Sequence, residues 1–203
     1  MSPQELDQFA RQGYTRVPVV REVLADLDTP LSAYRKLASG PYTYLFESVQ
    51  GGERWGRYSI IGLPATEVVR ITGQQVQVDG PDGRQQEDVA DPIAWVEDYR
   101  QAYRSPDLPG LPRFNGGLVG YFGYDSVRFF EPRLGQAPGE DVLGVPDILL
   151  MRSEEVVVFD NLRGALFLVV HVDPTEEGVL MLSLIHISEP TRLGLISYDV
   201  FCL

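Results

Sequence analysis

Thiol and imidazole side chains are scarce in this 203-residue sequence: one cysteine, Cys202, and two histidines, His171 and His186. A lone cysteine cannot close an intramolecular disulfide, so a reducing, cytoplasmic setting is expected. No apolar run approaches the length of about 18 residues that reads as a membrane span. Positive charge is scarce too. Lys and Arg total 17 against 29 Asp and Glu, a net charge of −12, and Lys36 is the only lysine. An acidic surface repels phosphate backbones, which argues against a nucleic-acid partner. The start, MSPQELDQFARQG, lacks the basic residues and apolar middle of a signal peptide. What the chain does have is 44% hydrophobic and 23% charged residues. That is the balance of a globular protein, one able to bury about 70% of the surface it exposes when unfolded.

The pattern is mixed α and β. Ser2, Pro3 and Glu5 form a helix start that Gly13 stops, and Thr29 with Pro30 opens a second helix, ended by Gly40. Its apolar face is Leu31, Tyr34, Leu37 and Ala38. Between them, residues 15–26 read as an edge strand, because Pro18 cannot donate to a central ladder. Strands are expected at 42–49 and 57–62, with a hairpin over 66–80 and a second turn at Asp82-Gly83. Asp91-Pro92 opens a third helix, whose apolar face is Ile93, Val96, Tyr99 and Tyr103. Pro/Gly loops at 105–117 and 131–146 flank the glycine-rich segment 116–125. The runs DILLM, EEVVVFD and ALFLVVHV then read as strands, the last two joined by the turn Asn161-Leu162-Arg163-Gly164. The predicted fold is α+β: antiparallel strands in a layered sheet with helices outside.

A helix signalled at 173–177 does not develop, and the composition changes. Residues 183–203, SLIHISEPTRLGLISYDVFCL, resemble translated sequencing adapter. Such a segment leaves fold reasoning, so residues 1–182 are taken as one native domain and 183–203 as a non-native tail.

Chemistry is thinly signalled. No G-K-[ST] follows the glycines of 116–125, so a phosphate loop is excluded. Gly117, Gly120 and Gly123 instead suit a strand that a second backbone or a ligand approaches closely. His171, near the end of an apolar run, reads as structural. The pairs Glu154/Glu155 and Glu176/Glu177 read as solvated edge charges, because neighbours in a strand face opposite ways. Glu47 differs. Alternation in Y-T-Y-L-F-E-S-V puts it on one face with Leu45 and Val49, which read as core. A half-buried carboxylate needs a cation. Arg54, Arg57 or a ligand ammonium could supply one.

The ordered segments V-P-V-V-R-E-V-L-A-D-L-D-T-P-L-S-A-Y-R-K-L (17–37), L-F-E-S-V (45–49), E-R-W-G-R-Y-S-I-I-G (53–62), G-G-L-V-G-Y-F-G-Y-D (116–125) and V-V-V-F-D (156–160) resemble the N-terminal region of anthranilate synthase component I. The resemblance covers residues 14 to about 182. It implies a chorismate-using lyase of tryptophan biosynthesis, in which chorismate is aminated and pyruvate eliminated. It also implies a glutamine amidotransferase partner, component II, and Mg²⁺ bound by a C-terminal domain absent from this chain. No catalytic or metal-ligating residue is therefore expected here, and the chain alone is expected to be inactive and poorly soluble, with an apolar face uncovered. The family's Leu-Leu-Glu-Ser feedback motif reads Leu45-Phe46-Glu47-Ser48, with Phe46 replacing the second leucine. This implies a tryptophan site at Glu47 and Ser48, with Tyr58 and Ser59 as second contributors. Two other readings share the pattern: an aminodeoxychorismate synthase component I fragment, or a non-catalytic amino-acid-binding module.

Overall fold

A computed structural model describes residues 1–25, 28–47, 56–135 and 143–176. Its contacts fall into two units. The first comprises the described residues of Met1–Ala65, Tyr103–Gly117 and Ser153–Leu203; the second takes Thr66–Ala102 and Leu118–Arg152. The described residues of 1–182 contribute to both units. The tail 183–203 lies outside the described residues.

The first unit is a five-stranded antiparallel sheet in the order β1-β10-β9-β3-β2. Its strands are β1 (Val17–Leu24), β2 (Tyr44–Glu47), β3 (Tyr58–Gly62), β9 (Glu155–Asp160) and β10 (Ala165–Val172). Strands β1 and β2 form its two edges, which is where Pro18 can be tolerated. The central hairpin β9–β10 is registered Asp160↔Ala165 to Glu155↔Val170. Its residues are apolar on both faces because both faces are covered. On one side Val157, Phe159, Leu166 and Leu168 pack with Leu6 of helix α1 (Pro3–Arg11) and with Ala33 and Leu37 of α2 (Pro30–Leu37). On the other, Val156, Val158, Phe167 and Val169 pack with Tyr58, Ile60 and Phe114.

Both helices start as their sequences require. Ser2 and Glu5 close a reciprocal capping box with Pro3 at the first turn. Thr29 does the same with Ser32 as its third-position partner. The expected face of α2 needs one correction. Leu31 is 54% exposed, and Ala33 takes its place in the core.

The second unit is a five-stranded sheet in the order β6-β5-β4-β8-β7. It is built from β4 (Glu67–Thr72), β5 (Gln75–Gly80), β6 (Gly83–Asp88), β7 (Gly117–Phe122) and β8 (Ile148–Ser153). Helix α3 (Pro92–Ala102) lays Ile93, Trp95, Val96 and Tyr99 on Val69, Ile71, Val76, Ile148 and Leu150. Its amides at Ile93 and Ala94 are capped by Asp91 at 3.0 Å. Tyr103 does not extend this face: the helix ends at Ala102, and Tyr103 donates to Glu154 in the first unit's own framework. The glycine-rich segment is a strand, as expected, followed by a 3-10 turn at Tyr124–Phe129. A Cβ on Gly120 would lie 1.8 Å from the Leu149 carbonyl oxygen, so the close neighbour is the backbone of β8. No helix among the described residues is long and apolar enough to cross a membrane.

Candidate functional site

The L-F-E-S motif begins on the edge strand β2. Register pairs Leu45 with Ile61 and Glu47 with Ser59. Leu45 packs into the helix-side cluster, so Glu47 shares that face, as alternation requires. Tyr44 and Phe46 face the other way, their rings 4.9 Å apart, with the Tyr44 hydroxyl 2.7 Å from Ser153 Oγ. Glu47 is not half-buried, however; at the end of a four-residue edge strand it is exposed. Among the described residues, β2 is the last strand of the sheet on that side.

Ser59, opposite Glu47, is fully buried. Its Oγ accepts a hydrogen bond from Asn161 Nδ2 at 3.1 Å. The structure therefore brings Glu47 and Ser59 together as a cross-strand pair. Tyr58, the next residue, points to the opposite face, packs with Ile60 and Phe114, and lies under the Arg57 guanidinium at 4.9 Å. Ser48, Val49 and Arg54 lie outside the described residues.

Arg57, one of the cations that could have served Glu47, is engaged elsewhere. Its Nη2 donates to Asp160 Oδ2 at 2.6 Å and its Nε to both carboxylate oxygens at 3.1 Å. The Asp160 side chain is 1% exposed. Its Oδ1 also accepts the Leu162 and Arg163 amides at 3.2 Å, which closes the β9–β10 turn. Asn161 completes the latch by donating to the Gly56 carbonyl, while its amide donates to the Arg57 carbonyl at 2.8 Å. The guanidinium beside it holds the Asp160 carboxyl below the usual carboxylate range, aided by the turn amides and opposed by burial. This latch escaped the sequence reading. Its signal was an aspartate closing an apolar strand just before a turn, where Asx hydrogen bonding is favoured.

The same unit holds a second polar cluster. Glu154 was expected to be a solvated edge charge. Instead its side chain is 13% exposed and accepts from Arg16 Nε and from the Tyr103 hydroxyl, both at 2.7 Å. Arg16 also reaches Asp173 at 3.3 Å. Beside it, His171 Nε2 lies 2.9 Å from the Asn115 carbonyl oxygen, so the ring donates there. Burial pushes its pKa down. These bonds fix the 103–117 segment on the sheet, a structural role, as expected for His171. The resemblance implies Mg²⁺, but among the described residues no three His, Cys, Asp or Glu side chains are grouped to hold a metal ion.

No family model matches the chain. It is similar to the anthranilate synthase component 1 of Pseudomonas putida: 58% identical over 179 residues, which cover 87% of this chain and 36% of that protein. The protein of the same name from Neisseria meningitidis serogroup B is 50% identical over 179 residues, with the same coverages. That of Acetivibrio thermocellus is 38% identical over 161 residues, covering 79% of this chain and 32% of its own. Among solved structures, the crystal structure of anthranilate synthase component I from Streptococcus pneumoniae TIGR4 matches with a TM-score of 0.54 at 25% identity. It covers 84% of this chain and 36% of that one. The family resemblance and the α+β class drawn from the sequence are borne out. They hold for a chain that spans about 36% of the length of the first of these relatives.

Proposed function

We propose that this chain is the N-terminal, regulatory part of an anthranilate synthase component I. The whole protein would aminate chorismate and eliminate pyruvate to give anthranilate in the cytoplasm, with ammonia from a glutamine amidotransferase partner and with Mg²⁺. The observation that carries the reading is 58% identity across 87% of the chain, together with the sequence motif Leu45-Phe46-Glu47-Ser48, of which Leu45, Phe46 and Glu47 lie on an edge strand. Exposed aromatic residues in the second unit support a cover supplied by further chain: Phe122 is 51% exposed, Tyr124 93% and Phe130 63%.

Within this part, Glu47 is the group that meets the α-ammonium of tryptophan through a charge-assisted bond. Ser48 adds a polar contact. Ser59, held by Asn161, fixes the strand under Glu47 rather than reaching the ligand. Since Arg57 is spent on Asp160, it does not compete for Glu47. Feedback then requires that tryptophan bind one of two arrangements of the whole protein more tightly than the other.

Calorimetric titration of the chain with L-tryptophan tests the site. Saturable binding that weakens in Glu47→Ala is expected; binding of equal strength in that variant excludes Glu47 as the ammonium partner. In the full-length protein the same change should abolish inhibition by tryptophan and leave turnover intact. The chain alone should make no anthranilate from chorismate and ammonium, and detectable product would overturn the division of labour.

A further inference from the structure

We propose that the second unit carries a separate binding site for an organic cation, a guanidinium or ammonium on an apolar stem, in the cleft between the β5–β6 hairpin and α3. Helix α3 covers β4, β8 and Val76 of β5, and a cleft remains beside it along the rest of the same face of the β5–β6 hairpin. Register places Val76 opposite Glu87 and Val78 opposite Gln85 on that face. The result is a cleft of about 370 Å³ with Val76 and Val78 in its lining.

One wall is aromatic. Trp95 and Tyr99, one helical turn apart, stack with centroids 5.1 Å apart and planes 13° from parallel. Carboxylates pin each ring at its polar edge. Trp95 Nε1 donates to Glu87 at 2.7 Å, and the Tyr99 hydroxyl donates to Glu67. Glu67 is balanced by Arg152 at 2.8 Å, which leaves Asp82 and Glu87 to set the sign of the cleft. None of the lining residues is lysine, arginine or histidine. At the hairpin end the space is kept by Gly80, where a Cβ would meet Glu67 Oε2 at 3.3 Å.

An apolar floor, a rigid π wall and fixed carboxylates together match one ligand chemistry. The ring quadrupole attracts a cation over its face, and a neighbouring carboxylate adds a charge-assisted bond. The floor accommodates the methylene stem of an arginine- or lysine-like group. An anion meets repulsion in this cleft, and a neutral polar group gains neither term. This assignment does not depend on the tryptophan reading, since none of its residues belongs to the first unit.

The test uses the whole chain with Trp55→Phe, so that Trp95 is the only tryptophan. N-acetylarginine methylamide is titrated while Trp95 fluorescence is followed at the low protein concentrations that method needs. The neutral N-acetylcitrulline methylamide serves as control. Saturable quenching in roughly the millimolar range is expected, at least about tenfold weaker for the citrulline compound. Glu87→Gln, on an exposed edge strand where the change leaves the fold intact, should weaken arginine binding by about tenfold. Equal responses to the two compounds, a response that never saturates, or an unchanged Glu87→Gln titration would overturn the proposal. A short arginine-containing peptide run in parallel separates the sources. Tighter binding than the amide points to a basic segment of a partner protein, and equal binding points to a small molecule.

Discussion

Asp160→Asn isolates the latch behind the L-F-E-S strand, because it preserves shape and removes only charge. The asparagine oxygen can still take the Leu162 and Arg163 amides at 3.2 Å. Its amide group, however, must then face the Arg57 guanidinium, a donor set against donors. Two charge-assisted bonds are lost, at 2.6 and 3.1 Å. Breaking a buried pair costs up to about 3–5 kcal/mol when the remaining charge is sealed from water. Arg57 is 37% exposed and rehydrates, so a cost of about 2 kcal/mol is the appropriate scale. With a urea slope of about 2 kcal/mol/M, the midpoint should fall by roughly 1 M at pH 7, read by far-ultraviolet circular dichroism. The pH dependence gives a sharper check. The folded Asp160 pKa lies below its unfolded value of about 3.9. Its stabilisation is therefore complete above the unfolded value and lost as pH falls through the folded one. Wild type and variant should converge once the pH has fallen through the folded Asp160 value. Identical midpoints at pH 7, or a gap that persists undiminished in acid, would refute the ion-pair account.

The buried ring of His171 also loses stabilisation in acid, but there it is the neutral form that the fold favours. Its folded pKa is lowered by burial, so the unfolded chain binds the proton more readily, and stability should decline as pH falls below about 6.5. Proton NMR of the ring in a His186→Gln background should give a pKa below 6.5, and a value at or above it contradicts the burial argument. Gly120→Ala drives a methyl into the Leu149 carbonyl and should cost about 3 kcal/mol. A thermal melt followed at Trp95 should drop well below that of the parent, and a shift within ~2 °C would mean that the strands separate without penalty. On α2, Leu31→Glu should be neutral to within about 0.5 kcal/mol, whereas Leu37→Glu, at a position 4% exposed, should lose about 3 kcal/mol or more by urea titration.

Much of this architecture was legible because its signals are local. The capping boxes at Ser2 and Thr29 need only a hydroxyl and a proline in the first turn. The turns at Asp82-Gly83 and Asn161–Gly164 need only glycine, placed at positive φ of 98° and 61°. The apolar runs of β9 and β10 announce strands covered on both faces. What stayed hidden depends on residues far apart in sequence. Leu31 and Ala33 are equally plausible members of a helical stripe until the sheet decides which faces it. Glu154 reads as an edge charge until Arg16 and Tyr103, 138 and 51 positions away, converge on it. The glycines of β7 signalled a close approach, but only the fold says that the neighbour is the β8 backbone.

Glu47 shows the same limit at the site itself. Period-two alternation correctly gives its face and its companion Leu45, but alternation carries no information about where a sheet ends. Burial of a strand residue requires a neighbour on each side, and among the described residues β2 has one. The carboxylate thus stands on the apolar-facing side of a strand yet reaches solvent. Meanwhile the arginine that might have neutralised it is turned back onto Asp160 by an Asx turn more than a hundred residues along the chain. An exposed carboxylate costs little to keep charged in water. If Glu47 holds the ligand ammonium as proposed, affinity at this edge would come from desolvation by a cover over β2, with the Glu47 charge setting specificity. Tryptophan should accordingly bind the isolated chain far more weakly than the full-length protein, while Glu47→Ala reduces affinity in both. Comparing the two titrations separates the contribution of the charge from that of the cover, and equal affinity for chain and full-length protein would show that the edge strand needs no cover at all.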